Sequence, residues 1–304
     1  MKISIRNEYG NLKSVIVGSV KNMAWPLDDE EFNKGIQRST YPTTLSKGKL
    51  SEVVTQEAAE DLEKLVNILE NRKIKVYRPL TDKPHWAYSA RDILLTIGNK
   101  VIQCPTPFSS RANEIEMYPF LSNTDTEIIK APRPLSGNDP MFDAANVLKL
   151  DDKLLYSLSH SANEAGAEWL QQQVGNEFEV IKWQVVDHAI THIDSTILSL
   201  SKNTVMINAT RVKEDQLPSF IKDYKKIWIE DIEAIPFEHF PYASEWIGMN
   251  ILSIDPATVI VDAKQIKLSA KLKEHGYDVI SASMRQARTL GGGFHCVTCD
   301  LERQ

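Results

Sequence analysis

A hairpin signature that recurs along the 304 residues constrains this chain more than any other feature. Residues 93–103 (ILLTIGNKVIQ) set two apolar runs about a Gly-Asn turn, and residues 147–158 (VLKLDDKLLYSL) do so about Asp-Asp. Residues 196–207 (TILSLSKNTVMI) turn at Lys-Asn and residues 251–261 (ILSIDPATVIV) at Asp-Pro. Leucine-rich and β-branched flanks around turn residues mark paired strands. The hairpins start 54, 49 and 55 residues apart. Segments 55–72, 161–174 and 263–276 carry apolar residues at three-and-four spacing, the pattern of amphipathic helices, and His275-Gly276 stops the last. A short strand follows each helix, at KVYRP, EVIKW and DVISAS. The unit is thus hairpin, helix, strand, at a period that suggests a propeller or another circular array. An open α/β sheet of similar local elements is the alternative. LKSVIVG (12–18) and FHCVTCDL (294–301) are left over and together supply a fifth unit.

Charge and cysteine content narrow the function classes. There are 41 acidic against 35 basic side chains, a net charge of −6, which disfavours phosphate-backbone binding and so nucleic acid. No apolar run approaches the roughly eighteen residues of a membrane helix, and the polar start MKISIRNEYG lacks a signal peptide's apolar stretch. Three cysteines, Cys104, Cys296 and Cys299, are too few and too odd for a disulfide framework. A cytoplasmic location is expected. Residues 26–52 are polar and without sustained period, and read as a long loop, either a surface excursion or a lid over a site.

The strongest chemical feature is LGGGFHCVTCD (290–300). Three glycines allow backbone conformations closed to other residues and close approach of a ligand, with Cys296 placed to use that access. A thiolate is the best ordinary nucleophile near neutral pH once its pKa is lowered; the bland alternative is a buried structural cysteine beside a turn. The segment reads as strand, so Cys296 and Cys299 should face opposite ways, and His295 should face away from the Cys296 thiol. A general acid/base is available in HIDST (192–196), where His192 and Asp194 on a strand would share one side. Asp92, Asp143 and Asp194 each sit just before a hairpin's first strand. In a ring these equivalent positions converge, and an acidic pocket holding a thiol and an imidazole suits a planar guanidinium.

These residues bring a family into view. NEYGNLKSVIVG (7–18), ARDILLTIGNKVIQCP (90–105), FDAAN (142–146), HIDST, MNILSID (249–255) and LGGGFHCVTCD occur in an order that resembles the amidinotransferases. This is the glycine and inosamine-phosphate group of the guanidino-modifying enzymes related to arginine deiminase. The resemblance covers nearly the whole chain and implies one domain over residues 1–304 with the pentein fold. That fold is a five-bladed α/β propeller of pseudo-fivefold ββαβ units around a central active site. It implies Cys296 as nucleophile, His192 as general acid/base and Asp143 as its partner. Asp92 and Asp194 match the other guanidinium-binding acids, Arg211 the arginine that grips the donor's α-carboxylate, and Ser244 a serine near the reacting thiol.

The implied reaction moves the amidino group of L-arginine through an amidino-cysteine to a small amine, releasing L-ornithine, with no metal or organic cofactor. A homodimer stays open. The alternative is a hydrolase that admits water and makes citrulline. Asn146 stands where the FDAAD form has a second acid, removing one negative charge near the site. Ala243 replaces another small polar residue beside Ser244, and Ala189 and Thr191 differ from the Asn and Met of glycine-using members. These departures point away from glycine as acceptor.

Overall fold

A computed structural model describes residues 1–37, 48–82, 86–123, 126–134, 136–185 and 192–304. In chain order, β1 (Leu12–Val17) is followed by β2 (Ala24–Trp25), α1 (Glu30–Gln37), β3 (Gly48–Lys49), α2 (Glu52–Asn71) and β4 (Lys75–Tyr77). Next come β5 (Leu94–Ile97), β6 (Lys100–Gln103) and β7 (Glu127–Lys130), then β8 (Val147–Leu150), β9 (Lys153–Leu158), α3 (Glu164–Val174) and β10 (Glu179–Gln184). The remainder is β11 (Ile197–Ser201), β12 (Thr204–Asn208), β13 (Lys225–Ile229), β14 (Leu252–Asp255), β15 (Thr258–Asp262), α4 (Ile266–Glu274), β16 (Asp278–Ala282), α5 (Ala287–Leu290) and β17 (Thr298–Arg303). The class is α/β.

All four expected hairpins form. The turns of the first three use residues that tolerate a left-handed backbone: Gly98 at φ 56°, Asp151 at 60° and Asn203 at 56°. In each of the sheets β5-β6-β7, β8-β9-β10, β11-β12-β13 and β14-β15-β16 the first pair is antiparallel and the second parallel. The sheet β17-β1-β4 repeats that pattern, with β17 antiparallel to β1 and β4 parallel to it. It is therefore the same unit, begun by the C-terminal strand and continued by the N-terminal one.

The crossover to the third strand is an α-helix in three units. Ser51 caps α2 by accepting from Val54 N at 3.2 Å, and Asn163 caps α3 by accepting from Gly166 N at 2.8 Å. Between β6 and β7, and between β12 and β13, short 3-10 turns replace it. Pro105, Pro107 and Pro119 in the first crossover and Pro218 in the second interrupt any continuous helix.

Apolar clusters bind each sheet to the next. Ile16 and Leu301 pack with Leu94 and Val101; Leu95 and Ile102 with Val147 and Leu154. Leu148 and Leu150 share a cluster with Leu198 and Leu200, and these with Val259 and Val261. Leu252 and Ile260 then pack with Val15 and Val17, back in the sheet of β1.

The expectation of a loop over 26–52 is corrected at Glu30–Gln37, which is helical. Asp29 Oδ1 accepts from Phe32 N at 3.0 Å as a cap, and Lys34 pairs with Glu30 and Glu31. Trp25 stacks on Tyr242 at 3.8 Å between ring centroids, with Phe32 and Trp86 completing an aromatic cluster. Part of that stretch, residues 38–47, lies outside the described residues. No helix among the described residues is long and apolar enough to cross a membrane.

Candidate active site

Immediately before the first strand of each three-stranded sheet the chain makes a turn that carries a polar side chain. Asp92 precedes β5, Asp143 precedes β8, His192 and Asp194 precede β11, Asn250 precedes β14, and Cys296 precedes β17. These residues form one cluster. Cys296 is 2% exposed; its Sγ donates to Asp194 Oδ2 at 3.0 Å and accepts from Asn250 Nδ2 at 3.2 Å. Asn250 Oδ1 also accepts from the Cys296 backbone N–H at 2.9 Å, so one amide fixes both ends of the cysteine. His192 Nε2 lies 3.1 Å from Asp143 Oδ2, and its Nδ1 lies 3.9 Å from Asp92 Oδ1. Arg111 Nη1 donates to Asp92 Oδ2 at 2.6 Å and is itself clasped by Glu114.

Local sequence explains the thiol's placement. Residues 294–297 form a turn, closed by Val297 N donating to Gly293 O and Thr298 N to His295 O, and the strand begins only at Thr298. The reading of the segment as strand through Cys296 is therefore corrected, and with it the orientation of His295. His295 Nδ1 lies 3.0 Å from Asp194 Oδ2, the oxygen that Cys296 also touches, and its Nε2 lies 3.0 Å from Glu8 Oε2. The glycines serve packing: a Cβ on Gly292 would lie 2.9 Å from Cys296 Cβ, and one on Gly293 2.8 Å from Asn250 Cβ. Cys299 lies in β17 with Sγ on the Leu94 carbonyl, and all three cysteines are free. HIDST is likewise a 3-10 turn over Ile193–Ser195 rather than a strand, so His192 and Asp194 reach the cluster toward different partners.

Electrostatics follow from this packing. Burial and the carboxylates of Asp194 and Asp92 hold the Cys296 thiol well above its ordinary range. Burial pulls the His192 imidazole down, but Asp92 and the Asp143 hydrogen bond outweigh it and raise it to about 9. For Asp194 burial acts upward, and the hydrogen bond and charge of His295 bring it down to about 2. Asp92 is raised by burial against the pull of Arg111, and Glu114 is raised to about 7 for the same reasons. Asp92 Oδ1 and Asp143 Oδ1 are buried and have no hydrogen-bond partner among the described residues.

Arg211 and Ser244 meet at one edge. Arg211 Nη2 donates to Ser244 Oγ at 2.9 Å, and its Nη1 is held by Ser195 Oγ at 2.8 Å and Thr196 Oγ1 at 3.0 Å. Ser244 is exposed and caps Glu245–Met249; among the described residues its hydroxyl contacts Arg211 and Trp246 N, not Cys296. Asn146 turns away from the imidazole: Oδ1 accepts from Asp143 N at 3.1 Å and Ser161 Oγ at 3.1 Å, and Nδ2 donates to Ser159. Ala189 and Thr191 lie outside the described residues.

The sequence reading missed Asn250, Glu8 and Arg111, and it turned His295 away from the cluster. Asn250 was findable, because it occupies the pre-strand position that singled out the acids. Among the described residues no group of three or more His, Cys, Asp or Glu side chains is arranged to hold a metal.

Comparison with known proteins finds similar chains over nearly the whole length. The family model for N,N dimethylarginine dimethylhydrolase, eukaryotic, matches residues 35–303. Inosamine-phosphate amidinotransferase 1 of Streptomyces griseus is 33% identical, over 99% of this chain and 97% of its own. Mitochondrial glycine amidinotransferase of Xenopus tropicalis is 26% identical, over 98% and 82%. The solved inosamine-phosphate amidinotransferase of S. griseus superposes with a TM-score of 0.92 at 31% identity, covering 99% of this chain and 97% of its own.

Proposed function

This chain belongs to the amidinotransferases, in the guanidino-modifying enzymes that also include the dimethylarginine dimethylhydrolases, and on that premise we propose the following reaction. The enzyme takes the amidino group from L-arginine onto Cys296, releases L-ornithine, and passes the group to a small primary amine. One observation carries the choice of a guanidinium donor. Among the described residues two buried carboxylate oxygens in the cluster of the thiol, Asp92 Oδ1 and Asp143 Oδ1, have no hydrogen-bond partner, Asp92 Oδ1 lying 3.9 Å from the His192 ring. Unfilled buried acceptors are costly, and a planar cation with five N–H donors satisfies them.

The chemistry follows from the same groups. Before arginine binds, burial and the carboxylate field keep the thiol protonated. A bound guanidinium offsets that field, the thiol proton departs to solvent, and the thiolate adds to the guanidinium carbon. His192, raised to about 9, is an imidazolium at neutral pH and protonates the departing nitrogen. The C–N bond breaks, ornithine leaves, and a positively charged amidino-cysteine and a neutral imidazole remain. An acceptor ammonium gives one proton to His192, its nitrogen forms the new C–N bond as the C–S bond breaks, and the second proton that nitrogen sheds goes to the departing sulfur and restores the thiol. Arg211, braced by Ser195, Thr196 and Ser244, is suited to the donor's α-carboxylate.

The cycle of shared apolar clusters, together with the meeting of all the pre-strand residues, supports reading the sheets as blades of a five-bladed α/β propeller in one domain. The three free, buried cysteines fit a reducing, cytoplasmic compartment.

A hydrolase is the second reading, favoured by the dimethylhydrolase family match. Isotope-labelled arginine, incubated with and without a panel of primary amines and followed by mass spectrometry, separates the two. Ornithine with an amine-dependent new guanidine supports transfer, and citrulline formed without any amine refutes it. An amidino mass adduct absent from Cys296→Ala assigns the nucleophile.

A further inference from the structure

His295 is a second histidine in the cluster, and the proposed reaction makes no use of it. Its ring lies between two carboxylates, with Nδ1 3.0 Å from Asp194 Oδ2 and Nε2 3.0 Å from Glu8 Oε2. The His295, Glu8 and Asp194 side chains are 6%, 2% and 3% exposed. A neutral imidazole has one donor and one acceptor nitrogen. Between two ionised carboxylates the acceptor would face a lone pair, so this geometry requires both ring nitrogens to donate.

The surroundings keep those carboxylates ionised. Glu8 Oε1 is 2.8 Å from Lys149 Nζ and 3.5 Å from Arg91 Nη1. Arg91 in turn pairs with Asp300, and Asp300 with Arg303. Arg91 also donates from Nε to the His295 carbonyl at 2.8 Å and from its backbone N–H to the Cys296 carbonyl at 3.1 Å, which fixes the turn. Burial acts upward on the Glu8 carboxyl, but the Lys149 charge outweighs it and holds it low, and Asp194 Oδ2 already accepts from the Cys296 thiol.

We propose that His295 is a positioning residue: an imidazolium held between Glu8 and Asp194, it aims Asp194 Oδ2 at the Cys296 sulfur and offsets its charge. The inference rests on Cys296 as the nucleophile. A thiolate formed 3.0 Å from a bare carboxylate oxygen would be opposed by that charge. The cation on the far side of the same oxygen reduces the opposition, and Glu8 holds the cation in place. His192 moves protons; His295 keeps its own.

Two measurements test this. The first needs no turnover: nitrogen NMR of histidine-labelled His192→Asn protein at pH 8 should show one histidine with both ring nitrogens protonated, its signals shifting in His192→Asn/Glu8→Gln. No imidazolium at pH 8 overturns the proposal whatever the enzyme's activity. The second is the pH profile of amidino-cysteine formation in His295→Gln, which keeps one donor and loses the charge. Its acid limb should move up by about one pH unit, making adduct formation about tenfold slower below the midpoint and converging with the parent at high pH. An equal depression at every pH would mean a scaffold role alone and overturn the charge-offset claim. Absence of any arginine-derived adduct in the parent would sink the Cys296 reading instead, and the NMR result would not depend on it.

Discussion

Asp143→Asn isolates the electrostatic control of His192. Asn keeps the shape and an acceptor oxygen for the imidazole but removes the charge 3.1 Å away. In the parent, His192 titrates at about 9 against 6.5 for a free imidazole. That difference corresponds to roughly 3 kcal/mol of preference for the imidazolium in the folded chain. Asp92 and Asp143 supply most of it against the cost of burial. Assigning Asp143 somewhat less than half gives about one pH unit, or about 1.4 kcal/mol, so the variant should titrate near 8. The sign of the stability effect follows. A folded-state pKa above the unfolded one adds stability that is complete below about 6.5 and is lost as pH rises through about 9. Thermal melts from pH 6 to 10 should show the parent losing this increment up to pH 9, and the variant losing a smaller one that ends near pH 8. The NMR titration of His192 measures the same midpoint directly. If the midpoint in Asp143→Asn coincides with the parent's, the account of the pair is wrong.

Other perturbations have equally definite outcomes. Asn250→Ala removes both bonds to Cys296 and leaves its backbone N–H without its acceptor; adduct formation should fall at least about tenfold and stability by about 1–3 kcal/mol, read by intact mass and urea unfolding. Gly292→Ala forces a Cβ to 2.9 Å from Cys296 Cβ and 3.0 Å from Ser89 Oγ; the displaced thiol should cost about a hundredfold in kcat/KM for arginine, and retention of parental kcat/KM would contradict the close-packed turn. Gly18→Ala would set a Cβ 1.9 Å from the Tyr88 carbonyl oxygen, lowering stability by about 3 kcal/mol or more in a denaturant titration. Arg111→Lys gives up the guanidinium that spans Asp92 and Glu114 and should raise KM for arginine more than it lowers kcat.

What could be read from the sequence was whatever repeats or turns. Three of the four hairpins were legible because Gly98, Asp151 and Asn203 stand where a left-handed backbone is needed, and the fourth because Asp255-Pro256 breaks two apolar runs. Helices α2, α3 and α4 were legible because their buried residues recur at helical spacing, as Val54, Ala58, Leu62, Leu65 and Leu69 do. Helix α1 was hidden, since in so short a helix the capping Asp29 and the Lys34 ion pairs carry more signal than any apolar period. Within the site, the acids shared a register and Cys296 stood beside three glycines. His295 was misassigned because alternation holds only in a strand, and the hydrogen bonds of residues 293–298 turn the chain first. Arg111 left no mark, as it lies in a 3-10 turn without periodicity and becomes relevant only when the crossover folds onto Asp92.

The pairing of β17 with β1 has a consequence for assembly. It joins Thr298–Arg303 to Leu12–Val17, the most distant segments to meet in any of the sheets. Contacts of such long sequence separation form late, after the local hairpins. The turn bearing Cys296 leads directly into β17 and takes its position from that pairing, from Arg91 and from Asn250. A chain stalled before this last pairing would therefore present no oriented thiol. It would be inert toward guanidines rather than a leaky hydrolase. Appearance of the amidino adduct during refolding then serves as a built-in report that the last long-range contact has closed.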